Sequence, residues 1–292
     1  MENYDSLFLP SEAPQDVPAP PFDKQAWAEK KKSERQLVYS LIDTTITSIT
    51  KSNEMLTAAL NVMARFDRYS MGNILLITAQ MPGATKLADF ETWKKDGVYV
   101  QKGVNHIKLL EPGDEFQRAD GSRGVNYNVK HVFDVSQTSA KSLPSKVQYD
   151  MRLLLKALLN NAPCPVEISE KIPDGVGAIY IPDAHKIHVR PGMNGTDIFQ
   201  CLTQEISHAY LAQGKNYDQN SYAFIADCAA YVLCSRYNVD TQSFNFATSI
   251  GRMDAHDLRA SLERARDCAN QISLDVSKML GRGSRYRDRE LH

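Results

Sequence analysis

Three side chains in the stretch TQEISHAY, Thr203 to Tyr210, have the types and spacing for metal-assisted hydrolysis. Glu205 and His208 stand where the pattern H-E-x-x-H has its glutamate and its second histidine, and Gln204 stands where it has the first. Two histidines four residues apart share one helical face and hold zinc, with the glutamate between them as general base. A carboxamide oxygen is a poorer zinc ligand than neutral imidazole, so Gln204 weakens the set. A further acid comes from the following apolar stretch AFIADCAAYVLC, where Asp227 is the only charge. A carboxylate in such a helix needs a partner or a metal, or it stays protonated.

Three arrangements are open. In the first, His208, Asp227 and Gln204 bind zinc and Glu205 activates water. In the second, the one we expect, His208 and Asp227 form a buried hydrogen-bonded pair in a site that has lost its metal, so zinc is doubtful and the domain is not catalytic. In the third, a cysteine replaces the missing ligand: Cys201 lies seven residues before His208 on the same face, and Cys228 is next to Asp227. His185 and His188 fall on an expected strand and point to opposite faces, so they do not form a chelating pair.

A second constellation has different chemistry. Between Arg65 and Lys108 stand seven cations, Arg65, Arg68, Lys86, Lys94, Lys95, Lys102 and Lys108, against four acids. Phe66, Tyr69, Phe90, Trp93 and Tyr99 are interleaved with them. Single-stranded nucleic acid is held by such a mixture, cations on phosphates and rings on bases. The same texture arises when rings are core and charges a solvated face.

The elements that must position these groups are legible as patterns. Residues 24–66 have helical periodicity, and NILLITAQM reads as another helix. After Pro82, the runs GVYVQKG, HIKLLEP and YNVKHVFDVSQ read as short strands, with PGDEFQRADGSRG a polar hairpin loop. In the second half, VQYDMRLLLKALLNN is helical, and GAIYIP and HKIHVRPG are two strands joined by a turn. Three helices follow, the first capped by Thr196 or Asp197. The expected fold class is α+β in two domains: 23–138, helical with a small β-sheet, and 147–281, with 139–146 as linker. Residues 1–22, acidic and proline-rich, read as a disordered tail, and 282–292 as a basic one.

The segment YSMGNILLITAQMPGATKLADFETWKKDGVYVQKGVNHIKLLEP, followed by VFDVSQT, resembles the N-terminal domain of ArdC-type antirestriction proteins. Several motifs recur in order over roughly Leu56 to Thr138. The resemblance implies non-specific single-stranded DNA binding and a mobile-element origin, with Tyr69, Asn73, Trp93, Lys94, Lys95, Lys102 and Lys108 as contacts. Arg65 and Arg68 join them on electrostatic grounds. One departure is VQKGVNH, which has two fewer cations than the usual family pattern. The second half is similar to the zincin-like ImmA/IrrE metallopeptidases, which implies that Glu205 is the base and that the metal positions are 204, His208 and an acid on the next helix: Asp227 if the family's ligand is the second acid of its stretch, or the position of Ile225 if it is the first, in which case no site remains. The implied partners are single-stranded DNA and a restriction or regulatory protein. The rivals are an active zinc metallopeptidase and an interaction module with neither activity.

The whole chain excludes some classes. A net charge of −1 over 292 residues leaves no global polyanion signal. Five cysteines without a C-x-x-C pair fit a reduced, cytoplasmic protein. No apolar run reaches the roughly 18 residues of a membrane span.

Overall fold

The computed structural model describes residues 23–140, 148–213 and 217–280. The expected tails 1–22 and 282–292, and all of the expected linker except Ser139 and Ala140, lie outside the described residues.

The structure is α+β. Most of its helices begin at side-chain caps that satisfy otherwise orphaned backbone donors. Helix α1 (Lys24–Ile49) starts at Asp23, α2 (Asn53–Arg65) at Ser52 and α3 (Met71–Gln80) at Ser70. In the second half of α1, Val38, Ile42, Ile46 and Ile49 make one buried stripe at helical spacing. Ser52 breaks the continuous periodicity of residues 24–66 into two helices.

Strand β1 (Leu87–Ala88) is followed by α4 (Phe90–Lys95), which sequence periodicity missed. Asp89 caps it through Thr92 N–H at 2.8 Å. Two long strands follow, β2 (Ile107–Gln117) and β3 (Arg123–Asp134), and the antiparallel sheet order is β1-β3-β2. The segment expected as a polar hairpin loop is mostly strand. Pairing continues through a bulge between Pro112 and Glu115, out to Gln117 opposite Arg123. Beyond Pro112 the hairpin is an exposed arm held by its ladder, so it has no apolar face for a sequence pattern to show. Phe116 lies across Gly124, where an added Cβ would sit 2.6 Å from the ring. The expected strand GVYVQKG is a loop between Gly97 and Gly103, both at positive φ, with one bridge from Val100 to Thr138.

The second half runs α5 (Met151–Asn160), β4 (Val166–Ile168), β5 (Ala178–Ile181), β6 (Lys186–Val189), α6 (Gly195–Leu211), α7 (Gln219–Arg236), α8 (Ala247–Ile250) and α9 (Ala255–Met279). The sheet order is β4-β6-β5, with β4 parallel and β5 antiparallel to β6. The cap of α6 is Asn194, which accepts from Asp197 N–H at 3.0 Å, rather than Thr196 or Asp197 itself.

One hydrophobic cluster runs from Val38 on α1 through Leu60 on α2 and Val232 on α7 to Val276 on α9, so both halves share it. Polar contacts cross the same junction. Arg236 donates to the carbonyls of Met63 and Ala64 at the end of α2, at 3.3 and 3.2 Å, and to Asn270 Oδ1 at 2.9 Å.

Candidate metal centre and nucleic-acid surface

Helices α6 and α7 pack side by side and bring Gln204 to Asp227. Gln204 Nε2 donates to Asp227 Oδ1 at 2.6 Å. His208 is buried, and its Nδ1 lies 2.6 Å from the hydroxyl of Tyr217. The expected direct pair of His208 and Asp227 is therefore replaced by two separate bonds. Gln204 is one turn before His208 on α6 and takes the acid, while Tyr217, just before α7, takes the imidazole. Glu205 is buried under β5, where its Oε2 accepts from Tyr180 N–H at 2.6 Å. Ile225, at the other acidic position of the pattern, is a core residue.

Burial sets the charges here. It pushes Glu205 up to about 7; the negative charge of Asp227 adds to this and the Tyr180 N–H opposes it. Burial raises Asp227 to about 6, against the hydrogen bond from Gln204. Burial lowers His208 to about 4, so the ring is neutral at pH 7 and one nitrogen has the proton. The phenol of Tyr217 is pushed up by burial and stays protonated. If it donates to Nδ1, the proton sits on Nε2 and that nitrogen cannot ligate. If Nδ1–H donates to the phenol oxygen, Nε2 has the lone pair a metal needs.

The donor set does not fit a catalytic zinc ion. An amide replaces an imidazole, and its N–H is turned to the one acid that would be the third ligand. Among the described residues, the only three His, Cys, Asp or Glu side chains with ligating atoms within 4.8 Å of one another are Asp254, His256 and Asp257, all exposed at the start of α9. Neither cysteine completes the site. Cys228 is wholly buried with its thiol raised by desolvation, and Cys201 Sγ packs on Gly177 beside β5. His185 and His188 do not share a strand: His185 sits in the turn at φ 46°, 3.1 Å from the Tyr180 hydroxyl, and His188 is on β6. Tyr180 and Tyr217 belong to this site and were missed from sequence, because one acts through its backbone and the other lies in a loop with no periodicity.

The nucleic-acid candidates divide by burial. Trp93 is 2% exposed and donates Nε1–H to Phe133 O at 3.0 Å, packed on Ala88 and Val135. It is core rather than a stacking platform in this conformation. Asn73 is buried and grips Leu110 twice, donating to its carbonyl and accepting from its N–H, both at 2.8 Å. Tyr69 is buried too, edge-on to Phe66. Lys108 is half-buried, 3.9 Å from Glu34. Arg65 donates to Pro82 O, and Arg68, Lys94, Lys95 and Lys102 are exposed. The rings exposed near these lysines are Tyr99, 69% exposed, and Phe90, 51% exposed.

No protein-family model matches the chain. The ArdC antirestriction protein of plasmid R388, in its Mn(II)-bound crystal structure, superposes over 82% of this chain and 98% of its own, with TM-score 0.57 and 17% identity. Its metal-free structure superposes over 72% and 86%, with TM-score 0.51. The chain has the ArdC fold. At 17% identity the likeness is one of architecture, and it extends through both halves. An uncharacterized protein of Bacillus anthracis, pXO2-81, is 26% identical over 92% of this chain. The ArdC-fold chain spans 56% of the length of that relative. Among the described residues no helix is long and apolar enough to cross a membrane.

Proposed function

We propose that this is an antirestriction-type protein of a plasmid or another mobile element. Residues 23–138 bind single-stranded DNA without sequence preference, and residues 147–281 are a metallopeptidase-like scaffold without catalysis. The ArdC protein of plasmid R388 shares the fold, which supports the antirestriction and plasmid reading. The observation that supports a silent second half is the 2.6 Å bond from Gln204 to Asp227, which engages two of the three metal positions with each other. On the first half, Lys94, Lys95 and Lys102 supply phosphate contacts, with Arg65 and Arg68 at its margin, and Tyr99 and Phe90 supply stacking. The protein partner class in this reading, a restriction or regulatory protein, meets the second half.

The test is fluorescence anisotropy with an oligo(dT) probe at low salt in the presence of a chelator. Binding weakened by the triple variant Lys94→Ala, Lys95→Ala, Lys102→Ala, with a salt slope smaller by about 2, supports the reading. An unchanged slope overturns the assignment of these lysines.

A second reading is favoured by Glu205, a buried carboxyl held by a backbone N–H and pushed up to about 7, where a general base is useful. The R388 ArdC protein has a Mn(II)-bound structure. A metal ion here would have to use His208, Asp227 and the amide oxygen of Gln204, after the bond between Gln204 and Asp227 opens. About one metal per chain, lost in His208→Ala and in Asp227→Ala, and a peptidase activity lost in Glu205→Gln would favour it over the scaffold.

A further inference from the structure

Helix α1 changes character along a single face. In its second half that face is Val38, Ile42 and Ile46, all in the core. The same face continues toward the N-terminus as Arg35, Lys31 and Trp27, spaced four residues apart. These do not enter the core. With Ala28 they form one wall of a groove of about 360 Å³ whose other wall is Asn128 and Val129 on β3 of the hairpin arm. Trp27 is 51% exposed. The surrounding charge is net positive: residues 24–35 include five cations (Lys24, Lys30, Lys31, Lys32, Arg35) against two acids, Glu29 and Glu34. Glu34 is drawn to Lys31 at 3.5 Å, to His131 at 2.7 Å and to Lys108 at 3.9 Å.

We propose that this groove is a subsite for single-stranded DNA, where a base stacks on Trp27, Lys31 and Arg35 hold the flanking phosphates, and Asn128 hydrogen-bonds the base edge. The site rests on the proposed DNA-binding function and extends it to the start of helix α1, which precedes the sequence span Leu56 to Thr138. Three observations converge on this ligand. A groove of this volume accommodates a nucleotide-sized group. The wall sets an indole and two cations at one-turn intervals, so one ring and two charges follow one another over about 12 Å of helix axis, a mixture that suits a single strand. An asparagine side chain has both donor and acceptor, which tolerates any base. An acidic peptide would use the cations but not the ring next to them.

The chain has two tryptophans, and the other, Trp93, is buried with its N–H bonded, so an oligonucleotide that reaches an indole reaches Trp27. Titration of the full chain with oligo(dT) at low salt should quench tryptophan fluorescence, and Trp27→Phe should abolish the quench. Trp27→Ala should weaken binding about tenfold. Lys31→Ala with Arg35→Ala should lower the salt slope by about 1.4. Anisotropy that reports binding by the native chain without quenching, and with equal affinity in these variants, overturns the subsite and leaves the DNA-binding function standing. No anisotropy change with the native chain overturns both. Quenching by poly-glutamate but not by oligo(dT) also overturns the subsite, in favour of a protein ligand. Circular dichroism of each variant separates lost binding from lost helix.

Discussion

Gln204 donates its side-chain amide to Asp227 across the α6–α7 contact at 2.6 Å, in the position where a metallopeptidase helix would have a histidine aimed at a metal. The bond gives the half-buried acid a neutral partner, while burial keeps the His208 ring uncharged. Restoring the ligand should therefore restore metal affinity. Gln204→His is expected to bind zinc about ten- to a hundredfold more tightly than the native chain. Competition with a chromophoric chelator measures this, and an unchanged affinity would show that His208 and Asp227 are not poised to share an ion.

Stability should depend on pH through the same site. Glu205 has a folded value of about 7 and Asp227 about 6, both above their unfolded values. Each contributes stability that is full below its unfolded value, near pH 4, and lost as pH rises through its folded one. His208, at about 4, does the opposite: its contribution is present above about 6.5 and lost as pH falls through 4. Glu205→Gln keeps an acceptor for Tyr180 N–H and removes the buried charge. It should match the native chain at pH 4 and exceed it by roughly 3 kcal/mol at pH 8, as an upper bound. Urea denaturation at both pH values decides this; parallel curves would mean that Glu205 ionises freely.

Asn73 should behave as a structural residue. Its amide satisfies both backbone groups of Leu110, joining α3 to β2 in the core. Asn73→Ala leaves both unsatisfied and should cost about 2–4 kcal/mol. Thermal melts would read this, and a melt within a degree or two of native would contradict it.

Trp93 and Tyr99 should separate folding from binding. Trp93→Ala removes a buried indole and should lower stability by about 3–5 kcal/mol. Tyr99→Ala, at a ring mostly in solvent, should leave the melt alone and weaken oligo(dT) binding about tenfold. The opposite assignment of the two effects would return Trp93 to the DNA surface.

Arg236 should hold the two halves in one transition. It donates to the last carbonyls of α2, where a cation also offsets the helix dipole. Arg236→Met leaves those carbonyls without this donor and should cost about 2 kcal/mol or more. If the junction is its main effect, near- and far-ultraviolet signals of the variant should unfold at separate midpoints where the native chain unfolds at one.

Composition and periodicity were sufficient for the α+β class and for most of the helices, because amphipathic spacing and Ser or Asp caps are local properties. Residues 24–66 read as helical because a charged start gives way to amphipathic spacing that continues through NEMLTAALNVMARF. The incomplete pattern at Gln204, Glu205 and His208 was visible because it depends on spacing within one helix. The partners of these residues were not visible. That Asp227 goes to Gln204 and His208 to Tyr217 depends on how α6 and α7 pack, and the support of Glu205 by Tyr180 is a backbone contact that no residue type announces. Burial decided which aromatics are surface: Trp93 and Tyr99 look alike in the sequence, and only the small cluster under α4 separates core from exposed ring. The hairpin arm escaped notice for the opposite reason. Its ladder needs no apolar alternation, and its value lies in the groove it makes with Trp27, Lys31 and Arg35, about a hundred residues away in the chain.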